Sequence, residues 1–227
     1  LFADPATGAP RLASGSKDGK VRIIDPLAGG EAMVVLDLDD RARALATFED
    51  PATGAPRLAC ASREKVLVFD PVAGGEALLV LNIADVNALA AFEDPATGAP
   101  RLACCGVMGD GDDVCEVRVF DAISGGDALL VLDVGSVVFA LVVFKDRATD
   151  ALRLASGSKD KKVRVFDPVA GGEALIVLDG HKGKVTALTA FRDPATGELR
   201  LVSSGDKTVR VWNPAAGGAA IEAEPEG

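Results

Sequence analysis

The chain has 227 residues, of which 48% are apolar or aromatic (AVILMFWYC) and 26% are charged, the balance of a folded globular protein rather than a disordered one. Lys and Arg total 24 against 34 Asp and Glu, a net charge of −10, so no overall positive field is available to displace counterions from a nucleic acid. Aromatic residues are only 4%, with no Tyr and one Trp, which also argues against stacking platforms for single strands.

The predicted elements follow from an internal repeat. DPATGAPRLA begins at Asp4, Asp50 and Asp94, DRATDALRLA at Asp146 and DPATGELRLV at Asp193, at intervals of 46, 44, 52 and 47 residues. A second marker, Gly-Gly, falls at Gly29-Gly30, Gly74-Gly75, Gly125-Gly126, Gly171-Gly172 and Gly217-Gly218. In the first unit only Leu1-Phe2-Ala3 precedes the Asp-Pro turn. The later units open their apolar runs with ALATF, ALAAF, ALVVF and ALTAF, rich in Ala as an innermost strand with little room demands. The third unit carries an insertion, Val107 to Cys115, with Asp110, Asp112, Asp113 and then Glu116. Ala128 to Phe144 is the most membrane-like stretch, yet it is short for a spanning helix and broken by Gly135-Ser136, so it reads as two strands and a turn. In the last unit the runs are Val185–Phe191, Leu199–Ser203, Thr208–Trp212 and Ala219–Ile221, and the unit before it supplies Ala174–Leu178 as a fourth run. Short β-branched and aromatic runs between turn residues predict strands. Asp-Pro-Ala-Thr-Gly turns the chain after the first strand and Ala-Gly-Gly after the third. Four antiparallel strands repeated in this way predict propeller blades.

These motifs resemble the WD-repeat β-propellers, across all five units. Gly180-His181 matches the family's Gly-His dipeptide, and Trp212-Asn213 stands where Trp-Asp is usual. The other units end their third strand with Ile24-Asp25, Phe69-Asp70, Phe120-Asp121 and Phe166-Asp167. Lys17 to Lys20 and Lys159 to Lys162 match the turn between second and third strands. The expected fold is therefore all-β, a single WD-repeat propeller domain over 1–227, with five recognisable four-stranded antiparallel blades near 1–38, 39–83, 84–134, 135–180 and 181–227. The family usually closes with seven or eight blades, so five units read as a fragment of a longer propeller. A closed five-blade ring and an oligomer that completes the ring are the rivals.

The resemblance carries a structural hydrogen-bond network onto His181, Ser203, Asp206 and Trp212, with Ser204 as a rival for the serine. Ser14 and Asp18 match in the first blade and Ser156 and Asp160 in the fourth, but Ile24 and Phe166 replace Trp. Cys60 and Cys104 take the serine position in the second and third, which are expected to rely on packing and to be less rigid. Ser203, His181 and Asp206 also have the composition of a catalytic triad; the buried structural network is the preferred reading, since no oxyanion-hole motif accompanies them. No residue is assigned a catalytic role and no cofactor is expected.

The acidic insertion lacks the spacing of a calcium loop and reads as solvated. One His and no Cys-x-x-Cys leave no zinc motif, so no metal is expected. Four cysteines are too sparse for a disulfide scaffold, which favours a reducing, intracellular location, cytoplasmic or nuclear. Cys60 and Cys104 read as core residues and Cys115 as the thiol expected to react. Arg11, Arg57, Arg101, Arg153 and Arg200 each follow an Asp by seven residues, which favours a local Arg–Asp pair over a phosphate-binding ring.

The expected function is a non-enzymatic scaffold that binds a protein or peptide on a loop face, with no nucleic acid and no membrane. By resemblance that face holds Lys17, Asp39, Arg41, Asp85, Asp110, Asp112, Asp113, Lys159 and Lys182, and its acidic excess favours a basic ligand. Two alternatives stay open: the sensor portion of a larger signalling kinase or NTPase encoded outside this chain, and a propeller hydrolase using His181 and Ser203. Unclosed blade edges would permit self-association.

Overall fold

The computed structural model describes residues 1–107, 115–146, 149–214 and 221–222. No helix is present among the described residues, and twenty strands form five four-stranded sheets, an all-β, propeller-like fold.

Sheet one joins β1 (Phe2–Ala3), β2 (Pro10–Gly15), β3 (Lys20–Ile24) and β4 (Val34–Asp37). Sheet two joins β5 (Ala44–Glu49), β6 (Pro56–Ala61), β7 (Val66–Phe69) and β8 (Leu79–Leu81). Sheet three joins β9 (Ala88–Glu93), β10 (Pro100–Val107), β11 (Cys115–Asp121) and β12 (Gly125–Asp133). Sheet four joins β13 (Val138–Lys145), β14 (Leu152–Ser158), β15 (Val163–Phe166) and β16 (Ile176–Leu178). Sheet five joins β17 (Val185–Arg192), β18 (Leu199–Gly205), β19 (Thr208–Trp212) and β20 (Ile221–Glu222). Every sheet is a meander in chain order, the pairing that short turns between strands allow.

The turns explain the repeat. Asp4 Oδ1 accepts the backbone N–H groups of Ala6 and Thr7, and the Gly8 N–H closes onto the Asp4 carbonyl at 2.7 Å. Asp193 repeats this with Ala195, Thr196 and Gly197, and Asp50 and Asp94 with Ala52 and Ala96. At the Ala-Gly-Gly turn Asp25 Oδ1 holds the N–H groups of Leu27 and Ala28, and Asp70, Asp121 and Asp167 do likewise. A carboxylate that accepts two N–H bonds fixes a turn that the strands alone would leave open. The stretch Ala128 to Phe144 is indeed the end of β12, a turn with Gly135 at φ 67, and β13. The fourth run of unit four begins at Ile176 rather than Ala174, because the chain only joins the ladder once Leu175 N–H has bonded the Val165 carbonyl. Ala219 lies outside the described residues.

The chain divides into two compact units, Leu1–Met108 with Val119–Leu129, and Gly109–Arg118 with Leu130–Gly227. In the first, β5 runs beside β9 and sheets stack face to face. Val21, Ile23 and Leu36 of sheet one pack on Leu58, Cys60, Leu67 and Phe69 of sheet two. The other face of sheet two, through Ala59, Val66, Val68 and Leu81, packs on Leu102, Cys104 and Phe120. Covered on both sides, β7 is buried at all four residues and shows no alternation, whereas β3 alternates. In the second unit β13 runs beside β17, and Phe144, Val163, Val165 and Leu178 of sheet four pack on Leu201 and Trp212 of sheet five.

Candidate functional site

The polar centre of the second unit is built from β18 and β19 of sheet five, the turn between them and the connection that leads into β17. The connection from β16 to β17 carries His181, β18 carries Ser203, and β19 ends at Trp212. Between β18 and β19, Gly205 pairs with Thr208 across a two-residue loop, Asp206-Lys207, with φ 47 and 65. Positive φ at both positions is the hairpin turn whose twist suits the strands, and Asp tolerates it better than most residues. Gly205 is required for another reason: a Cβ there would lie 2.5 Å from the Lys184 carbonyl oxygen. Its bare backbone lets the His181 connection lie over the turn.

Trp212 Nε1–H donates to Ser203 Oγ at 2.7 Å, His181 Nε2 lies 2.7 Å from the same oxygen, and His181 Nδ1 lies 2.7 Å from Asp206 Oδ1. The indole is a donor only and the carboxylate an acceptor only, so the directions follow. Ser203 donates its proton to Nε2, and His181 carries its own on Nδ1 for Asp206. Asp206 also accepts the Lys182 N–H at 2.5 Å and the Thr208 hydroxyl at 2.8 Å. Its carboxyl is held well below the usual carboxylate range, chiefly by the His181 hydrogen bond and then by Lys182 N–H and Thr208. Ser203 is fully buried and His181 nearly so, and Trp212 seals one side. Ser203, rather than Ser204, is the hydroxyl in this chain. With its oxygen occupied by two partners and closed to solvent, it is placed to satisfy buried polar groups rather than to attack a substrate.

The equivalent positions elsewhere differ. In sheet four Ser156 sits opposite Arg164 as Ser203 sits opposite Arg210, and it is fully buried, but its hydroxyl has no hydrogen-bond partner among the described residues. Asp160 turns instead to Arg164 at 2.6 Å, to the Lys162 N–H and to the Ser158 hydroxyl. In sheet one Asp18 takes Arg22 at 2.7 Å and the Lys20 N–H at 3.0 Å, and Ser14 is exposed. Without a histidine to span the gap, the turn carboxylate takes local partners. Cys60, Cys104 and Cys105 are buried and take part in no disulfide among the described residues, and burial pushes the Cys60 thiol up to about 12.

The proposed binding residues lie on loops. In the first unit Lys17 is in the β2–β3 turn, Asp39 and Arg41 in the β4–β5 connection, and Asp85 in the β8–β9 connection. Each connection is tied to a neighbouring strand turn: Leu38 N–H donates to the Gly19 carbonyl at 2.8 Å, Ala42 N–H to that of Ser16 at 3.0 Å and Asp85 N–H to that of Arg63 at 2.5 Å. Lys17, Asp39 and Arg41 are exposed, Asp39 pairs with Lys65 at 2.9 Å, and Asp85 pairs with Arg43 at 3.1 Å. In the second unit Lys159 lies in the β14–β15 turn and Lys182 in the β16–β17 connection, both exposed. Lys159 borders a shallow cleft with Gly135, Ser136, Val137 and Asp160. Asp110, Asp112 and Asp113 lie outside the described residues, as does the side chain of Cys115. Among the described residues no cluster of three or more His, Cys, Asp or Glu is placed to hold a metal, and no helix is long and apolar enough to cross a membrane.

The repeated arginines do pair locally, and they do more. Arg11 reaches Asp4 at 3.1 Å and Asp25 at 3.4 Å, Arg57 reaches Asp50 at 2.9 Å and Asp70 at 3.4 Å, and Arg101 reaches Asp94 at 3.5 Å and Asp121 at 2.5 Å. One guanidinium thus bridges the carboxylates of two turns, and Arg153 reaches Asp167 in the same manner. Sequence reasoning missed a further group. Arg43, at the head of β5, is mostly buried, with Nη1 also 3.3 Å from Asn87 at the head of β9 and with Nε lacking a hydrogen-bond partner among the described residues. The available signal was positional: Arg43, Asn87, Phe139 and Thr186 all immediately precede an Ala-Leu pair.

Repeated four-stranded meanders with Asx-capped turns, one of them locked by a buried Trp–Ser–His–Asp chain, define an all-β repeat protein of propeller-like fold. The family model described as WD domain, G-beta repeat (WD40) matches residues 172–213, which run from the Gly-Gly turn through β17, β18 and β19 and contain all four members of that chain. The match and the five sheets together fit the WD-repeat propeller family. No curated protein matches the chain.

Proposed function

We propose that this chain is a non-enzymatic, intracellular scaffold, cytoplasmic or nuclear, whose loop end binds a basic protein or peptide segment. A WD40 repeat suggests a protein-interaction role, and WD40 domains are generally non-enzymatic scaffolds. The observation that carries the reading is the loop end of the first unit. Its connections are tied to the turns by backbone hydrogen bonds, so Lys17, Asp39, Arg41 and Asp85 are held on a fixed frame. A surface ordered before binding spends little free energy on ordering when a partner arrives. Buried thiols outside any disulfide among the described residues support a reducing location.

Fluorescence anisotropy with a Lys/Arg-rich peptide and a Glu-rich peptide tests the reading. The basic peptide binds, more weakly as salt rises, and Asp39→Asn with Asp85→Asn lowers its affinity by about 3- to 10-fold. Binding of both peptides alike, or an affinity unmoved by the two substitutions, contradicts it. A fluorophosphonate probe leaves Ser203 unlabelled; labelling there would point to a hydrolase.

A further inference from the structure

The repeat supplies its own control for reading surface exposure. The fourth strands show the same exposed valine in four sheets, at Val35, Val80, Val131 and Val177, so that row is the ordinary solvent-facing edge of the repeat. Three other apolar side chains depart from the repeat's own rule. Leu12 is 37% exposed where Leu58, Leu102, Leu154 and Leu201 are all 0%. Phe191 is 45% exposed where Phe92 and Phe144 are 7%, and Val209 is 59% exposed where Val163 and Val21 are 0%.

These departures fall on two sheet faces. In sheet one, Leu12 is opposite Ile24 and Ser14 opposite Arg22, the register in which Leu58 faces Phe69 and Cys60 faces Leu67 in sheet two. In sheet two that face receives sheet one. In sheet five, Val202 is opposite Val211 and Ser204 opposite Val209, the register of Ala155 with Val165 and Gly157 with Val163 in sheet four. In sheet four that face receives sheet five. Inside each unit the same junction therefore forms, one sheet's Val-rich face on the next sheet's Leu and aromatic face, and the Leu12 face of sheet one and the Val209 face of sheet five are exposed.

We propose that these two faces dock on each other between two copies of this chain, Val209 and Phe191 of one copy packing against Leu12 and Ile24 of the next. The occupant is a second copy because the junction already exists inside each unit with residues from the same repeat positions. The contact is head-to-tail, so a pair keeps one free face of each kind, one on each copy, and association proceeds beyond a pair unless it closes.

Light scattering after size exclusion tests this with Leu12→Lys and Val209→Lys. Both sites are exposed, so the fold tolerates Lys, and circular dichroism verifies that the sheet signal is retained. Wild type has a mass above the 23.2 kDa chain mass that rises with concentration, and each variant alone runs at 23.2 kDa. An equimolar mixture of the two variants forms a species of twice the chain mass and no larger. Such a mixture offers one intact pair of faces, Val209 of the Leu12→Lys copy and Leu12 of the Val209→Lys copy. Wild type that remains at the chain mass overturns the proposal, as do variants that associate like wild type or a mixture that does not pair.

Discussion

Sheets four and five begin from nearly the same sequence and settle their buried serine in opposite ways. In sheet five Ser203 joins an indole N–H to a histidine that is itself held by Asp206. In sheet four Ser156 is equally buried, but Phe166 stands at the register position of Trp212 and no histidine is at hand, and its hydroxyl has no partner among the described residues. A position in a repeat thus has no fixed energetic value. A buried hydroxyl stabilises only with its partners and costs without them. A buried polar chain orders sheet five, while sheet two is held chiefly by apolar faces covered on both sides.

The comparison can be broken most sharply at His181. His181→Ala leaves the Ser203 hydroxyl with only its Trp212 donor and removes the main partner of Asp206, and it should cost about 2–4 kcal/mol in urea unfolding. A loss under about 0.5 kcal/mol, the size of an ordinary surface change, would show that the chain of bonds is incidental. Trp212→Phe converts sheet five to the sheet-four pattern and should cost about 1–3 kcal/mol, through the lost donor and the smaller ring. Retained stability there would mean that Trp212 acts by packing that Phe can replace.

Asp206→Asn sharpens the comparison through pH. Hydrogen bonds from His181, Lys182 N–H and Thr208 put the folded carboxyl below its unfolded value of about 3.9. Its stabilisation is complete above that value and is lost as pH falls toward the folded one. The melting temperatures of wild type and Asp206→Asn should differ above pH ~4 and converge below it. A pH-independent gap contradicts the charge-based account. The smallest effect concerns the thiols: a disulfide reagent at pH near 8.5 should leave Cys60 unmodified in the native state, because burial holds its pKa near 12. Rapid labelling before unfolding would show that sheet two opens locally.

Much of this was legible in the chain. The Asp-Pro and Gly-Gly markers located the turns because an Asp that caps two N–H groups and a glycine at positive φ are chemical requirements of those turns. The four residues of sheet five could be named because each keeps a distinctive side chain at a fixed offset. Less was legible where partners are distant or substituted. The second partner of each arginine, such as Asp25 for Arg11, depends on how two turns approach in space. Asp160 could be aligned with Asp206, but its choice of Arg164 follows from the missing histidine. Arg43 and Asn87 looked like ordinary strand-end residues until β5 and β9 were set side by side. The uncovered faces of sheets one and five were invisible for the same reason, since Leu12 and Val209 read like their buried counterparts.

The most direct test removes the same hydroxyl from both serines. Urea unfolding of Ser203→Ala and Ser156→Ala beside wild type should show a loss of about 1–3 kcal/mol for Ser203→Ala. Ser156→Ala should show no loss, or a gain of up to about 1 kcal/mol, because the group removed has no bond to lose. Equal losses at the two positions would contradict the account, since partners, and not burial, are what distinguish them.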